Sequence, residues 1–383
     1  MSKVFDMIAK EQARQDKNIE LIASENFVSE NVLKAMGSCL TNKYAEGYPN
    51  KRYYGGCQCV DELETYCQEK WKEAFHTDYH CNVQPHSGTN ANLAAYMALL
   101  KPNSDVFSLA LDNGGHLSHG SPVNISGKVF NFHHYGLDKD GLIDYEELEQ
   151  KANLVKPSLI VAGASAYPRE IDFKRIRQIC DTCGAYMMVD MAHIAGLVLT
   201  GEHQSPFGLA DVITTTTHKT LRCARGGVIF CKPEFAKKID SAVFPCTQGG
   251  PLLNMIAGKA VGAEECCTPE YKDYIHQVVI NATAMADRFI ELGFDLVTGG
   301  TDNHLLLIDF TKTHDLTGKQ AQDLLDEHFI TANKNCVPNE TRSPQETSGL
   351  RIGTPAMTTK GWKENDFIAC ADKIAKILEN YKK

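Results

Sequence analysis

Five short stretches of the chain are apolar almost throughout: DVFSLAL (105–111), SLIVAGAS (158–165), YMMVDMA (186–192), DVITTTT (211–217) and GGVIFC (226–231). A strand with one wet face alternates apolar and polar residues, whereas a strand covered on both faces reads as an unbroken apolar run. Between several of these runs lie amphipathic stretches such as YEELEQKANLVK and FKRIRQICDTCG, with apolar residues at helical spacing. The alternation predicts an α/β region from about Asp78 to Lys232, with a mainly parallel sheet under helices and ligands at the carboxyl ends of its strands.

Downstream, PLLNMIAGKAVGAEECC and PEYKDYIHQVVINATAMADRFIELG read as long helices, the second ending near Gly293. A strand (HLLLIDF), a helix (KQAQDLLDEHFI), a strand (LRIGTPA) and a closing helix (NDFIACADKIAKILENY) then predict a smaller α+β unit. The first residues form an amphipathic helix carrying Phe5, Met7, Ile8 and Ala13. The expected division is an N-terminal helical arm over 1–20, a large α/β domain over 21–255 and a small C-terminal domain over 256–383.

Composition narrows the function. The 383 residues are 43% apolar and 23% charged, which suits a globular protein of more than one domain. A net charge of −9 argues against broad binding of nucleic acid or anionic membrane. No apolar run reaches a membrane span, and the start lacks the apolar core of an export signal, so the expected compartment is the cytoplasm. The fourteen cysteines are then expected as free thiols. Cys180 and Cys183 have metal or redox spacing, but no second pair accompanies them; they read as helix-face residues, and no metal site is expected. Sequons at Asn124, Asn281 and Asn339 read as chance.

The candidate chemistry begins with TTTTHKT (214–220), a strand running into His218 and Lys219. Covalent carbonyl chemistry needs an amine made neutral by burial or nearby cations, and His218, Arg222 and Arg225 stand close by in sequence. By itself the lysine also reads as a solvated charge after an edge strand. One strand earlier, YMMVDMAH ends in Asp190 and His193. A buried acid needs a partner; the pyridinium nitrogen of pyridoxal phosphate is one, and a capped turn is the plainer alternative. Ser87, Gly88 and Thr89 precede an apolar helix, as an anion site or an ordinary N-cap would. TNKYAEGYPNKRYYGG (41–56) holds four tyrosines, Glu46, Lys51 and Arg52, and predicts a loop facing a ligand or a partner subunit. Arg351, ahead of a Gly-Thr-Pro turn, suits a carboxylate ligand or a structural ion pair.

From Asn18 to the last helix the chain resembles the serine hydroxymethyltransferases, fold-type I pyridoxal phosphate enzymes. The resemblance is carried by IELIASENF, TNKYAEGYPNKRYYGG, QPHSG, GGHLSHGSPVN, VDMAHIAGLV, TTTTHKTLR, FPCTQGGP and GTDNHLLL. It implies a seven-stranded-type sheet and transfer of the serine hydroxymethyl carbon to tetrahydrofolate, giving glycine and 5,10-methylenetetrahydrofolate. A folate-independent aldolase and a weakly active binding paralogue are the alternatives.

The resemblance also implies roles. Lys219 would hold the cofactor covalently, and Asp190 would pair with its ring nitrogen. His116 would stack on the ring, with Ser165, His193, Thr216, His218 and Arg225 around it. Ser87, Gly88 and Thr89 would bind the phosphate, joined by Tyr44 and Gly250 of a second subunit in a homodimer. Ser24 and Arg351 would bind the substrate carboxylate, Ser24 also touching the cofactor. Glu46, Tyr53 and Tyr54 would come from the partner, with Glu46 as acid/base, Tyr54 also catalytic and His218 tuning specificity. Leu111, Gly115, His116, Leu117, Asn335, Ser343, Pro344 and Gln345 would contact folate. Two positions depart from the family: Cys223 stands where a glycine is usual, so a positive φ there would strain it, and Gln345 replaces an aromatic.

Overall fold

The computed structural model describes residues 2–312 and 315–382. The five apolar runs become five contiguous strands at the centre of a seven-stranded sheet. In chain order the strands are β1 (His80–Asn82), β2 (Asp105–Leu109), β3 (Asn131–Tyr135), β4 (Leu159–Ala162), β5 (Tyr186–Asp190), β6 (Val212–Thr216) and β7 (Gly227–Cys231). Their spatial order is β1-β7-β6-β5-β4-β2-β3. Strands β2 to β6 pair in parallel, and β7 is antiparallel to both β6 and β1. The two strands not anticipated from sequence, β1 and β3, are the two edges. An edge strand lacks two buried faces, so His80, Asn131, His133 and His134 interrupt the apolar signal there.

Burial on both faces explains the unbroken runs. Met187 and Val189 of β5 pack into one core with Phe107, Ile160, Ile213 and Phe230. Met188 faces a second core with Val106, Leu159, Val212 and Ile229. The named helices are α1 (Lys3–Lys17), α2 (Gln58–Ala74), α3 (Gly88–Leu99), α4 (Tyr145–Val155), α5 (Phe173–Cys183), α6 (Leu253–Cys266), α7 (Pro269–Glu291), α8 (Gly318–Glu327) and α9 (Glu364–Glu379). Ala91, Ala94, Ala95 and Tyr96 put α3 on the second core, while α5 and α6 cover the first. Helix α5 carries Cys180 and Cys183 and ends at Gly184, whose φ of 79° supplies the left-handed cap.

A four-stranded antiparallel sheet forms from β8 (Asp295–Leu296), β9 (Leu305–Asp309), β10 (Asn333–Asn335) and β11 (Gly349–Gly353), in the order β8-β9-β11-β10. It packs with α8, α9 and the second half of α7 in a separate core that also takes in Leu21. The first half of α7, through Tyr271, Ile275 and Val278, belongs to the large-sheet core. One long helix therefore links the two cores, and the 255/256 division falls inside α6.

Three local features differ from the sequence expectation or extend it. The positive φ after Lys219 falls on Arg222 (51°) and not on Cys223. Cys223 is buried, its thiol donates to Gly258 O at 3.3 Å, and the absent side chain of Gly262 makes room for it. The tyrosine-rich segment is a short hairpin, Gly47–Tyr48 with Lys51–Arg52, rather than an open loop. Helix α1 buries none of its residues, leaving Phe5, Met7 and Ile8 more than half exposed. Among the described residues no helix is long and apolar enough to cross a membrane.

A Cβ on Gly262 would overlap the Cys223 side chain. Gly262→Ala should therefore destabilise the fold by about 1–3 kcal/mol despite the better helix propensity of alanine. In a Cys223→Gly background the same change should cost much less. Denaturant melts of the four proteins in the cycle measure this coupling, and simple additivity would refute the contact.

Candidate active site

The carboxyl ends of β5 and β6 open into a cavity of about 300 Å³. Asp190, 9% exposed, closes β5. Its Oδ2 accepts hydrogen bonds from Asn92 Nδ2 (2.8 Å) and His119 Nε2 (3.0 Å), and its Oδ1 accepts from the Ala192 N–H (3.0 Å). Burial by itself would raise its pKa. The His119 hydrogen bond, helped by the nearness of the His119 and His116 rings and by the Asn92 amide, outweighs burial and holds the carboxyl well below the usual carboxylate range. Asp190 is therefore an ionised acid with lone-pair capacity left on Oδ1.

Lys219, 8% exposed, lies three residues beyond β6. Burial lowers its pKa to about 8; Asp190 opposes that shift and Arg351 and Arg225 reinforce it. Among the described residues its amine has no hydrogen-bond or ion-pair partner. A partly neutral, unpaired amine is what nucleophilic attack on a carbonyl requires.

Burial holds the surrounding imidazoles neutral. His116 Nδ1 accepts from the Ser118 N–H at 3.1 Å, which puts its proton on Nε2, and burial lowers its pKa to about 4. His218 falls to about 3 through burial, with Arg225 and Lys219 adding to it, and its Nδ1 is buried without a partner. His193 Nδ1 lies 3.3 Å from His304 Nε2, and both rings are kept neutral by burial. The other nitrogen of His304, Nδ1, is buried without a partner. An orphaned acceptor is better tolerated there than an orphaned N–H, so His304 donates from Nε2 and leaves the His193 proton on its own Nε2.

Ser87, Gly88 and Thr89 form the far wall at the N-terminus of α3. The first N–H groups of the helix have no intrahelical acceptor. A Cβ on Gly88 would press into Thr216, so glycine keeps the backbone open there. Ser24, Glu25, Ser165, Thr216 and Arg225 also line the cavity. Arg351 stands just behind: Nη1 donates to Ser165 O at 2.8 Å, while Nε is buried without a partner. Among the described residues, Arg351 is therefore not held in the ion pair that a structural role would provide.

Other candidates lie outside this cavity in the same chain. Tyr44, Glu46, Tyr53 and Tyr54 line up beside the segment leading to Gly250: Tyr44 and Tyr54 rings are 5.0 Å apart, and Tyr53 meets Phe244 at 5.7 Å. Arg52 pins this hairpin from within, donating to Asp61 (2.8 Å), Glu64 (2.7 Å) and the carbonyls of Ala45 (3.0 Å) and Gly47 (2.8 Å) on either side of Glu46. Leu111, Leu117, Ser343, Pro344 and Gln345 are exposed, Asn335 is half-buried on β10, and Gly115 is buried with its carbonyl bound by Ser165 Oγ at 3.0 Å.

Sequence reading did not single out Asn92, His119 or His304. Two signals for them existed: a polar Asn one turn into an otherwise apolar helix, and a second histidine in GGHLSHG. The pairing of His304 with His193 joins residues 111 apart in sequence and had no local signal.

Replacing Asp190 by Asn removes an anion that favours the Lys219 ammonium. The Lys219 pKa should then fall below about 8. The pH midpoint of reductive alkylation at Lys219, followed by peptide mass spectrometry, should shift to lower pH; an upward shift would contradict this account of the site.

A family model described as serine hydroxymethyltransferase matches residues 1–374 of the chain.

Proposed function

The chain belongs to the serine hydroxymethyltransferase family, pyridoxal phosphate enzymes that reversibly transfer the hydroxymethyl carbon of serine to tetrahydrofolate, giving glycine and 5,10-methylenetetrahydrofolate; from that premise we propose which residues carry the reaction. The observation that carries the assignment is that an ionised Asp190 and an unpaired, partly neutral Lys219 line one cavity. The cofactor, when bound, supplies an electron sink for negative charge developing at the substrate Cα.

The residues present suit that group. Lys219 would hold it through its amine. Asp190, with spare capacity on Oδ1, would keep a proton on its ring nitrogen. Ser87, Gly88 and Thr89 would take its phosphate, supported by orphan N–H groups and the open backbone at Gly88. His116, neutral and with its Nδ1 occupied, would present a flat face to the ring. His193 Nε2–H would donate toward its phenolic oxygen, joined by Ser165 once its hydroxyl turns away from the Gly115 carbonyl, with Thr216 and Arg225 as further contacts.

Arg351 and Ser24 would bind the substrate carboxylate, and the unpartnered Nε of Arg351 supports this. The proton at the serine hydroxyl oxygen would be moved by Glu46. That carboxylate lies outside the cavity of its own chain, so it would act in the site of a second copy, together with Tyr44, Tyr53, Tyr54 and Gly250. The exposure of Tyr44, Tyr53 and Tyr54 (54%, 76% and 45%) supports a face awaiting a partner. His218 would tune specificity. Leu111, Gly115, His116, Leu117, Asn335, Ser343, Pro344 and Gln345 would meet folate. The proposed folding units are an arm (1–20), a large domain from residue 21 and a small C-terminal domain, with the boundary expected at 255/256 displaced into α7, whose first half packs on the large-sheet core.

Two measurements test these roles. Lys219→Ala should abolish the visible absorption of bound cofactor that the unaltered protein shows. Mixing inactive Lys219→Ala with inactive Glu46→Gln should restore about a quarter of the activity if each site of a dimer takes Glu46 from the other copy, since half of random dimers are hybrids with one intact site. No recovery after subunit exchange would place Glu46 in its own chain's site.

A further inference from the structure

Lys259 is buried on α6, 2% exposed, and does not line the cavity. Its ammonium donates to three main-chain carbonyls: Val83 (2.7 Å), Pro85 (3.0 Å) and Gly227 (2.9 Å). Val83 and Pro85 lead directly into Ser87, the N-cap of α3. Gly227 opens β7, pairs with Thr216 across the sheet, and returns its own N–H to Pro85 O at 3.0 Å. One side chain thus ties together the two backbone segments that frame Ser87, Gly88 and Thr89.

The surrounding sequence leaves room for it. A Cβ on Gly226 would overlap the end of the Lys259 side chain, and one on Gly227 would overlap the Ser87 carbonyl. Hydrogen bonds to three carbonyls account for the donors of Lys259 but not for its charge. Among the described residues no carboxylate forms an ion pair with it. Glu64, the acid that acts on it, is engaged by Arg52 (2.7 Å) and Gln84 (2.7 Å). Its other polar neighbours are the thiols of Cys67, Cys223 and Cys81, which burial keeps protonated. A buried cation without a counter-anion is costly, and burial lowers the Lys259 pKa to about 8.

We propose that Lys259 is a positioning residue of the anion cradle: it fixes the carbonyl framework behind Ser87–Thr89, and its uncompensated charge has the ligand phosphate as its counter-anion. The inference rests on the reading of those three residues as the phosphate site. The charge acts through a low-dielectric wall, where separation weakens it less than in water.

The test compares pyridoxal phosphate with pyridoxal, which share the aldehyde and differ in the phosphate. Affinities are measured by absorption titration of the cofactor-free protein, for the unaltered chain, Lys259→Met, Lys259→Gln and a Ser87→Ala/Thr89→Ala double variant. Lys259→Gln keeps a donor and removes the charge. Both Lys259 variants should weaken pyridoxal phosphate about tenfold or more and change pyridoxal less than about twofold. Equal losses for the two ligands, or none, would overturn the proposal and leave Lys259 a structural clamp. If the double variant keeps the full preference for the phosphorylated ligand, the cradle reading itself fails, and this inference with it. If the double variant loses that preference while the Lys259 variants keep it, only the role of Lys259 fails. For a variant too unstable to titrate, the ligand-induced rise in melting temperature is compared in the same way. A rise for pyridoxal phosphate as large as in the unaltered chain would overturn the proposal.

Discussion

Everything at the site depends on β5 and β6 running side by side in the same direction. Their parallel register sets Asp190 opposite Thr214, so both strands deliver their carboxyl ends to one edge of the sheet. The acid and the amine, separated by a strand and a crossover in sequence, therefore open into one cavity. An antiparallel β6 would send Lys219 to the opposite edge. The connection from β5 to β6 is long enough for that parallel return, whereas the short link from β6 to β7 turns the chain back on itself. Those five contiguous apolar strands hold the register because a slip by one residue would exchange the residues of the two cores.

In and around the cavity, burial acts on Asp190, Lys219 and four imidazoles, yet the outcomes differ. His116, His193, His218 and His304 lose their charge because desolvation outweighs any anion near them, Asp190 beside His116 included. Asp190 keeps its charge because His119, Asn92 and a backbone N–H are already aimed at it. Lys219 lies between these extremes, raised by Asp190 and lowered by burial and two arginines. The site thus combines one fixed anion, one poised amine and neutral imidazole donors. Arg52 extends the same logic to the tyrosine-rich hairpin. Its guanidinium, buried against Asp61 and Glu64, grips the carbonyls either side of Glu46, so that segment is shaped by contacts within its own chain.

Much of this was legible along the chain, and the misses have physical causes. The central strands and long helices announce themselves through two-faced burial and helical spacing. Edge strands β1 and β3 do not, because one flank of each lies outside the ladder. The strain expected at Cys223 does not arise, since the preceding residue, Arg222, takes the left-handed turn and Gly262 leaves space for the thiol. His119 sits in GGHLSHGSPVN, a segment that carried the resemblance, and Asn92 lies four residues beyond QPHSG, but both stand out only through their hydrogen bonds to Asp190, which are defined by a contact and not by residue type.

The sequence alone determined the alternation of strands and helices, the candidate acid and amine at Asp190 and Lys219, and the kinship of the chain, because these depend on residue identity and local spacing. Tertiary structure decided which imidazoles are neutral, which tautomer His193 holds, which donors of Arg351 stay free and what Lys259 clamps. Those properties depend on distances between residues remote in sequence and on how much water packing leaves around them, which periodicity cannot encode.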